Sequence, residues 1–147
     1  MHLVTVGQRH SVPRRLLTRV ALAAMRATRT PRWAELEVAL VGDATMKRLN
    51  RRYHGRAGST DVLTFPGTPG RGGSVLGEVV ISLARARIQA RRFGHPVRRE
   101  VALLLVHGVL HLCGYHDHTR VASARMQARA EAILHHAFPA WRRRPTR

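Results

Sequence analysis

The spacing of apolar residues along the 147-residue chain predicts alternating strands and helices. Residues 3–7 favour a short first strand, and Pro13 stands where a helix begins. Behind Pro13, apolar residues recur at helical spacing, and arginines occupy the opposite face. The stripe consists of Leu16, Leu17, Val20, Ala21, Ala24 and Met25. Such a basic amphipathic helix suits a membrane surface or a domain core, and the core is the more common place.

The next part of the chain predicts a second strand and a second helix. Residues 36–41 are rich in Leu and Val, and Gly42 ends this strand. Asp43 is predicted to be the N-cap of a helix that continues to Tyr53.

Two further strands are predicted around a glycine-rich segment. Residues 61–65 form one strand, which ends at Pro66. Residues 67–73 contain four glycines and a proline, so we expect a flexible loop. Residues 77–81 form the last predicted strand.

Three helices are predicted in the remainder of the chain. Ser82 caps a helix that runs to about Phe93. Residues 97–112 are apolar on almost every side, which is typical of a helix at the centre of a domain, and Gly114 stops that helix. A last amphipathic helix spans about 120–138.

Together these elements predict one α+β (mixed α/β) domain over residues 1–147. We expect a mixed sheet of about four strands packed with about five helices. From about residue 139 the chain is basic, and we expect a loose tail.

The charge balance points to a polyanionic partner. There are 26 basic and eight acidic residues, and the formal net charge is +18. Every basic residue except Lys47 is arginine, which codon usage in a G+C-rich genome would explain. Codon usage does not explain the scarcity of acids, so nucleic acid is the favoured partner.

Cysteine usage and hydropathy favour the cytoplasm. Cys113 is the only cysteine, so no intramolecular disulfide can form, and packing is its expected role. The first residues lack the charged and apolar regions of a signal peptide. The longest apolar stretch, Val101 to Cys113, is too short to span a bilayer. We therefore expect a cytoplasmic protein with no membrane association and no disulfide partner.

The predicted central helix carries the residues with the clearest chemistry. His107 and His111 are four apart, which places both imidazoles on one helical face. Gly114 lets the chain turn back, so that Asp117 or His118 can reach the same metal. Three protein ligands with an open fourth position are typical of catalytic zinc. We expect one Zn²⁺ per chain at the end of this helix.

The alternative is that His107 and His111 are hydrogen-bonded core histidines. Two imidazoles on so apolar a helix are costly to bury without partners, and three more candidate ligands follow at once, so a metal is favoured. Zinc peptidases with this spacing carry Glu directly after the first His. Gly108 occupies that position here, which disfavours peptidase chemistry.

Three ordered segments resemble the YbeY-type ribosomal RNA maturation factors, which are metal-dependent bacterial endoribonucleases. Residues 107–115 match the family's His-Gly-x-Leu-His-Leu-x-Gly-Tyr signature. Residues 59–66 are similar to its Thr-Asp-Val-Leu-Ser-Phe-Pro block, and residues 77–82 to its Gly-Asp-Ile-Val-Ile-Ser strand. The resemblance covers roughly residues 35–135.

The sequence departs from the family pattern at two places. The family's third ligand is usually His, six positions after the second, where this chain has Asp117. A match without a gap makes Asp117 the third ligand, and a one-residue insertion would make it His118. The second departure is His54, where many relatives carry an RNA-handling Arg. The residues assigned to RNA binding by the resemblance are Arg51, Arg52, His54 and Arg56.

The resemblance implies a zinc-dependent, single-strand-specific endoribonuclease in small-subunit (16S) rRNA maturation and ribosome quality control. Its catalytic residues, acting through the metal, would be His107 and His111, and its partner the small ribosomal subunit. One alternative is a non-catalytic, metal-stapled RNA-binding factor of ribosome assembly. Another is a metal-dependent hydrolase of a different substrate.

The general base is not evident among the few acids. Glu100 lies seven residues before His107 on the same helical face, so it can orient a ligand. A surface position or a role at the helix start is the favoured alternative for Glu100.

Overall fold

A computed structural model describes residues 3–7, 12–31, 33–67, 69–70 and 73–141. Within these ranges the chain forms five α-helices and a mixed sheet, which confirms the α+β class. The elements are β1 (Leu3–Gly7), α1 (Arg14–Ala27), β2 (Glu35–Val41), α2 (Asp43–His54), β3 (Val62–Pro66), β4 (Pro69–Gly70), β5 (Gly73–Ser82), α3 (Leu83–Phe93), α4 (Val97–Leu112), α5 (Arg120–Ala137) and a 3₁₀ turn (Pro139–Trp141).

The sheet has the order β1-β2-β5-β3. The first three of these strands are parallel, and β3 is antiparallel to β5 at the edge. The two-residue β4 also pairs with β5, at its start. β3 therefore ends the sheet beside the long strand β5.

The two faces of the sheet are covered by different helices. Side chains alternate along β2 and β5, so Val38 and Val79 face the main core with α1, α4 and α5. Val80 faces the other side, where Met46 of α2 packs with Leu63 in a smaller cluster. As a result, α2 and α4 lie on opposite faces.

α4 is the central helix that its composition predicts. Its residues 99–106 and 108–110 are buried, and it packs against α1, α3, α5, β3 and β5. Its bounds, Val97–Leu112, agree with the prediction. Gly114, with φ +95°, follows its last turn.

The remaining helix bounds agree closely with the sequence prediction, with one correction at α2. Ser82 Oγ accepts a hydrogen bond from Arg85 N at 3.2 Å and caps α3 as predicted. At α2 the N-cap is Gly42, and Asp43 is the first helical residue. There the Asp43 carboxylate forms an ion pair with Lys47 one turn later, at 3.1 Å, which explains an acid at this helix start.

The glycine-rich segment 67–73 is the second correction. Pro69 and Gly70 pair with Ser74 and Gly73, so these described residues of the segment belong to two paired strands instead of a flexible loop. Residues 68, 71 and 72 lie outside the described residues.

The third correction concerns the predicted tail. Pro139–Trp141 form a 3₁₀ turn, in which the Phe138 and Trp141 rings lie 4.8 Å apart. The buried Arg99 donates from Nε to the carbonyl oxygen of Trp141 at 3.2 Å. These contacts hold residues 139–141 against the domain, contrary to the expected loose tail from 139. The rest of that predicted tail, residues 142–147, lies outside the described residues.

The apolar stripe of α1 faces the core. Leu17, Val20, Ala21, Ala24 and Met25 are buried there, which is the more common use of such a stripe. No helix in the described ranges combines the length and apolarity needed to cross a membrane.

Candidate metal centre

His107 and His111 lie in the last two turns of α4, on a side of the helix that the core only partly covers. Their neighbours Val106, Gly108 and Leu110 are buried, whereas both histidines are only half-buried. Core packing on the other sides holds the helix in place. The two imidazoles therefore stand on a rigid element at the edge of the core.

Gly108 has a structural reason to lack a side chain. A Cβ at this position would lie 2.5 Å from Val79 Cγ1 and 2.8 Å from Val79 Cγ2. α4 thus packs so closely on Val79 of β5 that an added side chain at position 108 would force one of the two elements or the Val79 side chain to shift. The glutamate that zinc peptidases carry after their first His does not fit this packing.

His107 presents an unsatisfied nitrogen. Its Nε2 atom is buried, and no hydrogen-bond partner for it exists among the described residues. Burial lowers the pKa of His107, the nearby Asp61 carboxylate opposes this, and His111 lowers the pKa further. The Glu131 carboxylate and a hydrogen bond with the Gln127 side chain also oppose the lowering. A neutral imidazole is the form that binds metals. A buried polar atom without a partner is costly, so a metal or a substrate atom would relieve the penalty.

The turn after α4 brings a carboxylate back to the second histidine. Gly114 N–H donates to the carbonyl of His111, and Tyr115 N–H donates to the carbonyl of Leu110, both at 3.0 Å. These bonds close the helix end and reverse the chain. Asp117 Oδ2 then lies 3.9 Å from His111 Nε2.

The flanking histidines take a different arrangement. The His116 and His118 rings stack with centroids 5.2 Å apart, and both side chains are exposed. The backbone N–H of His118 donates to His116 Nδ1 at 3.4 Å.

The donor types fit zinc, since two imidazoles and a carboxylate are ordinary ligands for it. The unsatisfied His107 Nε2 and the approach of Asp117 to His111 agree with that fit. Across the described ranges, however, no three His, Cys, Asp or Glu side chains are already gathered as a metal-binding group. His107, His111 and Asp117 therefore stay a predicted ligand set.

The residues predicted to bind RNA lie at the end of α2. Arg51, Arg52, His54 and Arg56 are all exposed there. The Arg52 guanidinium lies 5.4 Å from the centre of the Tyr53 ring. The ring of Tyr53 meets Phe65 edge-on at 5.2 Å. This forms a basic surface beside the edge strand, on the face of the sheet opposite α4.

Glu100 lies in the first turn of α4, which agrees with the predicted role at the helix start, but it is not on the surface. Its side chain is only 4% exposed. Glu100 Oε2 lies 2.6 Å from His95 Nε2, and this contact satisfies the buried carboxylate. The expected surface position of Glu100 is therefore wrong.

Cys113 is a free thiol that packs at the end of α4. It is half-buried against the main core, and its Sγ lies 3.5 Å from Thr30 Oγ1. This agrees with a packing role.

The structure adds residues that sequence spacing did not indicate. Asp61, Gln89 and Gln127 line a cavity of about 350 Å³ together with His107. Gln89 Nε2 donates to Asp61 Oδ2 at 3.2 Å. Asp61 stands within one of the segments that carry the resemblance, and this was the available signal. Asp61 and His107 are 46 positions apart in separate elements, so no helical or strand periodicity predicts that they lie close together.

Residues 7–137 match the protein family described as Endoribonuclease YbeY. The chain belongs to this family. A YbeY endoribonuclease of Moorella thermoacetica is 44% identical over 128 residues, which are 80% of this chain and 82% of the relative. One of Chloroflexus aggregans is 37% identical over 145 residues, 89% of this chain and 92% of the relative.

A solved structure agrees at the level of the fold. The solution structure of a Thermotoga maritima protein has a TM-score of 0.66 to this chain and 23% identity, and it covers 99% of both chains. The YbeY family match extends from the end of β1 to the end of α5. It is thus wider than the segment of roughly residues 35–135 that carries the resemblance.

Proposed function

We propose that this chain is a zinc-dependent, single-strand-specific endoribonuclease that acts in 16S rRNA maturation and ribosome quality control in the cytoplasm. Membership of the YbeY family supports RNA cleavage and rRNA processing. The observation that carries the metal is the buried Nε2 of His107 on a core helix, for which the described part of the chain supplies no hydrogen-bond partner.

His107, His111 and Asp117 are the proposed zinc ligands. Asp117 is favoured over His118 because its carboxylate already lies 3.9 Å from His111, whereas the ring of His118 stacks on His116. Zinc would supply an activated water or polarise the scissile phosphate. Burial lowers the pKa of His107 and so favours the neutral imidazole that can bind a metal.

The protein surface gathers the RNA. A net charge of +18 raises the local concentration of a polyanion. The exposed Arg51, Arg52 and Arg56 at the end of α2 would bind phosphates, because the guanidinium group matches phosphate oxygens in pairs. His54 stands beside them, 6.1 Å from the Phe65 ring centre. The proposed partner is rRNA of the small subunit.

The test pairs metal analysis with cleavage of single-stranded RNA. The proteins compared are wild type, His111→Ala, Asp117→Ala and His118→Ala. We expect about one zinc per wild-type chain, as for a single catalytic site. His111→Ala and Asp117→Ala should lose both zinc and cleavage, and His118→Ala should keep both.

Other outcomes change the conclusion in defined ways. Loss of zinc in His118→Ala, with Asp117→Ala intact, would move the third ligand to His118. RNA cleavage that is absent from a zinc-loaded wild type would favour the assembly factor, in which the metal only staples the end of α4.

A further inference from the structure

The cavity beside His107 has the size of a small-molecule site. It measures about 350 Å³ and lies between α3, α4 and α5, with Asp61, the residue before β3, on one side. Ligand sites are commonly about 300–1,000 Å³. Because His107 lines this cavity, a group bound there would adjoin the proposed metal centre.

The residues that line the cavity are buried at its floor and exposed at its rim. Leu103 and Leu104 of α4 form a buried apolar floor. Arg92 and Phe93 of α3 and Gln127 of α5 are exposed and form the rim. The Phe93 ring stacks on His95 at 6.0 Å with an interplanar angle of 26°. An apolar floor with an aromatic rim suits a planar ring, because stacking and apolar contact both stabilise it.

The polar groups inside the cavity select the kind of ring. Asp61 and Glu100 both line it, and carboxylates repel a phosphate. Gln89 donates a hydrogen bond to Asp61 Oδ2, and His95 forms one with Glu100 Oε2, so both carboxylates are held in place. A carboxylate accepts hydrogen bonds from the exocyclic amino group of a nucleobase. The phosphate would therefore stay at the rim, where Arg92 supplies a positive charge.

The geometry points to a subsite for one nucleotide of single-stranded RNA whose base carries an exocyclic amino group. Cytosine, adenine and guanine meet this condition, and uracil does not. The inference rests on the proposed endoribonuclease function and deepens it, since it names the nucleotide held beside His107. The base lies on Leu103 and Leu104, and its amino group donates to Asp61.

The first experiment is an NMR titration of the ¹⁵N-labelled full-length protein with CMP and, separately, with UMP. We expect CMP to bind about two- to tenfold more tightly, as one additional hydrogen bond would produce. The side-chain amide signals of Gln89 and Gln127 should shift most. A mononucleotide contains no internal phosphodiester bond, so binding is measured independently of cleavage.

Variants of α3 provide a matched comparison. Phe93→Ala and Arg92→Ala should each weaken CMP binding. Ile88→Ala and Arg85→Ala remove a large apolar and a basic side chain that are both exposed on α3 and outside the cavity, so they should leave binding unchanged. Asp61→Asn should bring the CMP and UMP affinities towards equality, because an amide can donate to uracil O4 as well as accept.

Equal affinities for CMP, UMP and inorganic phosphate in the wild type would overturn the subsite. Shifts confined to the end of α2 would also overturn it. RNA cleavage without selective CMP binding rejects the subsite alone and leaves the proposed function standing. Selective CMP binding without RNA cleavage rejects the proposed function and supports the subsite.

Discussion

The ends of α4 and α2 both carry candidate functional residues, but the two helix ends are built differently. Near the end of α4, His107 is half-buried on a helix enclosed by the core, and its Nε2 has no partner in the described ranges. At the end of α2, Arg51, Arg52 and Arg56 are exposed, and only a small cluster lies under the helix. Metal chemistry requires fixed atoms, whereas attraction of phosphates requires only charge at the surface.

The largest expected effect comes from removing the fixed histidine. His107→Ala should abolish zinc binding and lower RNA cleavage by at least about 100-fold, since the loss of a group that merely supports a ligand already costs about 10- to 100-fold. Metal analysis and a cleavage assay check both effects. His136→Ala, an exposed histidine on α5, is the control and should retain zinc and activity. Cleavage that survives in His107→Ala would show that the half-buried histidine near the end of α4 is not required for the reaction.

The second test breaks the packing that holds α4 in place. Gly108→Ala puts a Cβ within 2.5 Å of Val79 Cγ1, so the free energy of unfolding should fall by about 1–3 kcal/mol. Chemical denaturation measures this change. Val79→Ala in the same chain makes room, so the double variant should lose less stability than the sum of the two single variants. An additive result would show that contact with Val79 is not the reason for Gly108.

The third test weakens the exposed end of α2. Arg51→Ala with Arg52→Ala should reduce RNA affinity and leave zinc content unchanged. The slope of log affinity against log salt concentration should become shallower by about 0.7 for each phosphate of single-stranded RNA that the variant no longer neutralises. Fluorescence anisotropy at several salt concentrations measures the slope. Arg15→Ala on α1, also exposed, is the matched control. An unchanged slope in the double variant would move the RNA path away from α2.

The smallest expected effect concerns the sheet on the α2 side. Glu78 of β5 stands opposite Glu37 of β2, and burial followed by repulsion from Glu37 raises the pKa of Glu78. A carboxyl with a raised pKa in the folded protein opposes folding once it ionises. Glu78→Gln should therefore raise the free energy of unfolding at neutral pH by less than about 1 kcal/mol.

This stabilisation should vanish in acid. Below the unfolded-state pKa, Glu78 is protonated in both states, so Glu and Gln behave alike; the difference grows as pH rises through the folded-state pKa. Thermal unfolding at acidic and neutral pH measures it. A gain in stability that is the same at both pH values would exclude the charge as its cause.

The helices and strands followed from local signals. The apolar residues of α4, the Ser82 cap of α3 and Gly114 after α4 define local conformations that depend on neighbouring residues. The prediction failed at Asp43 and at residues 67–73, where the backbone had two compatible arrangements. At Gly42 and Asp43 either residue can cap, and a glycine-rich segment can form a loop or a hairpin.

The sequence by itself determined the element pattern, the basic surface, the histidine pair four residues apart and the resemblance to the YbeY family. Each depends on residue type or on spacing within one element. Only the tertiary structure placed Asp61 and Gln89 beside His107, buried Glu100 against His95, and put α2 and α4 on opposite faces of the sheet. These relations join residues from separate elements, and packing of the sheet between its helices decides them.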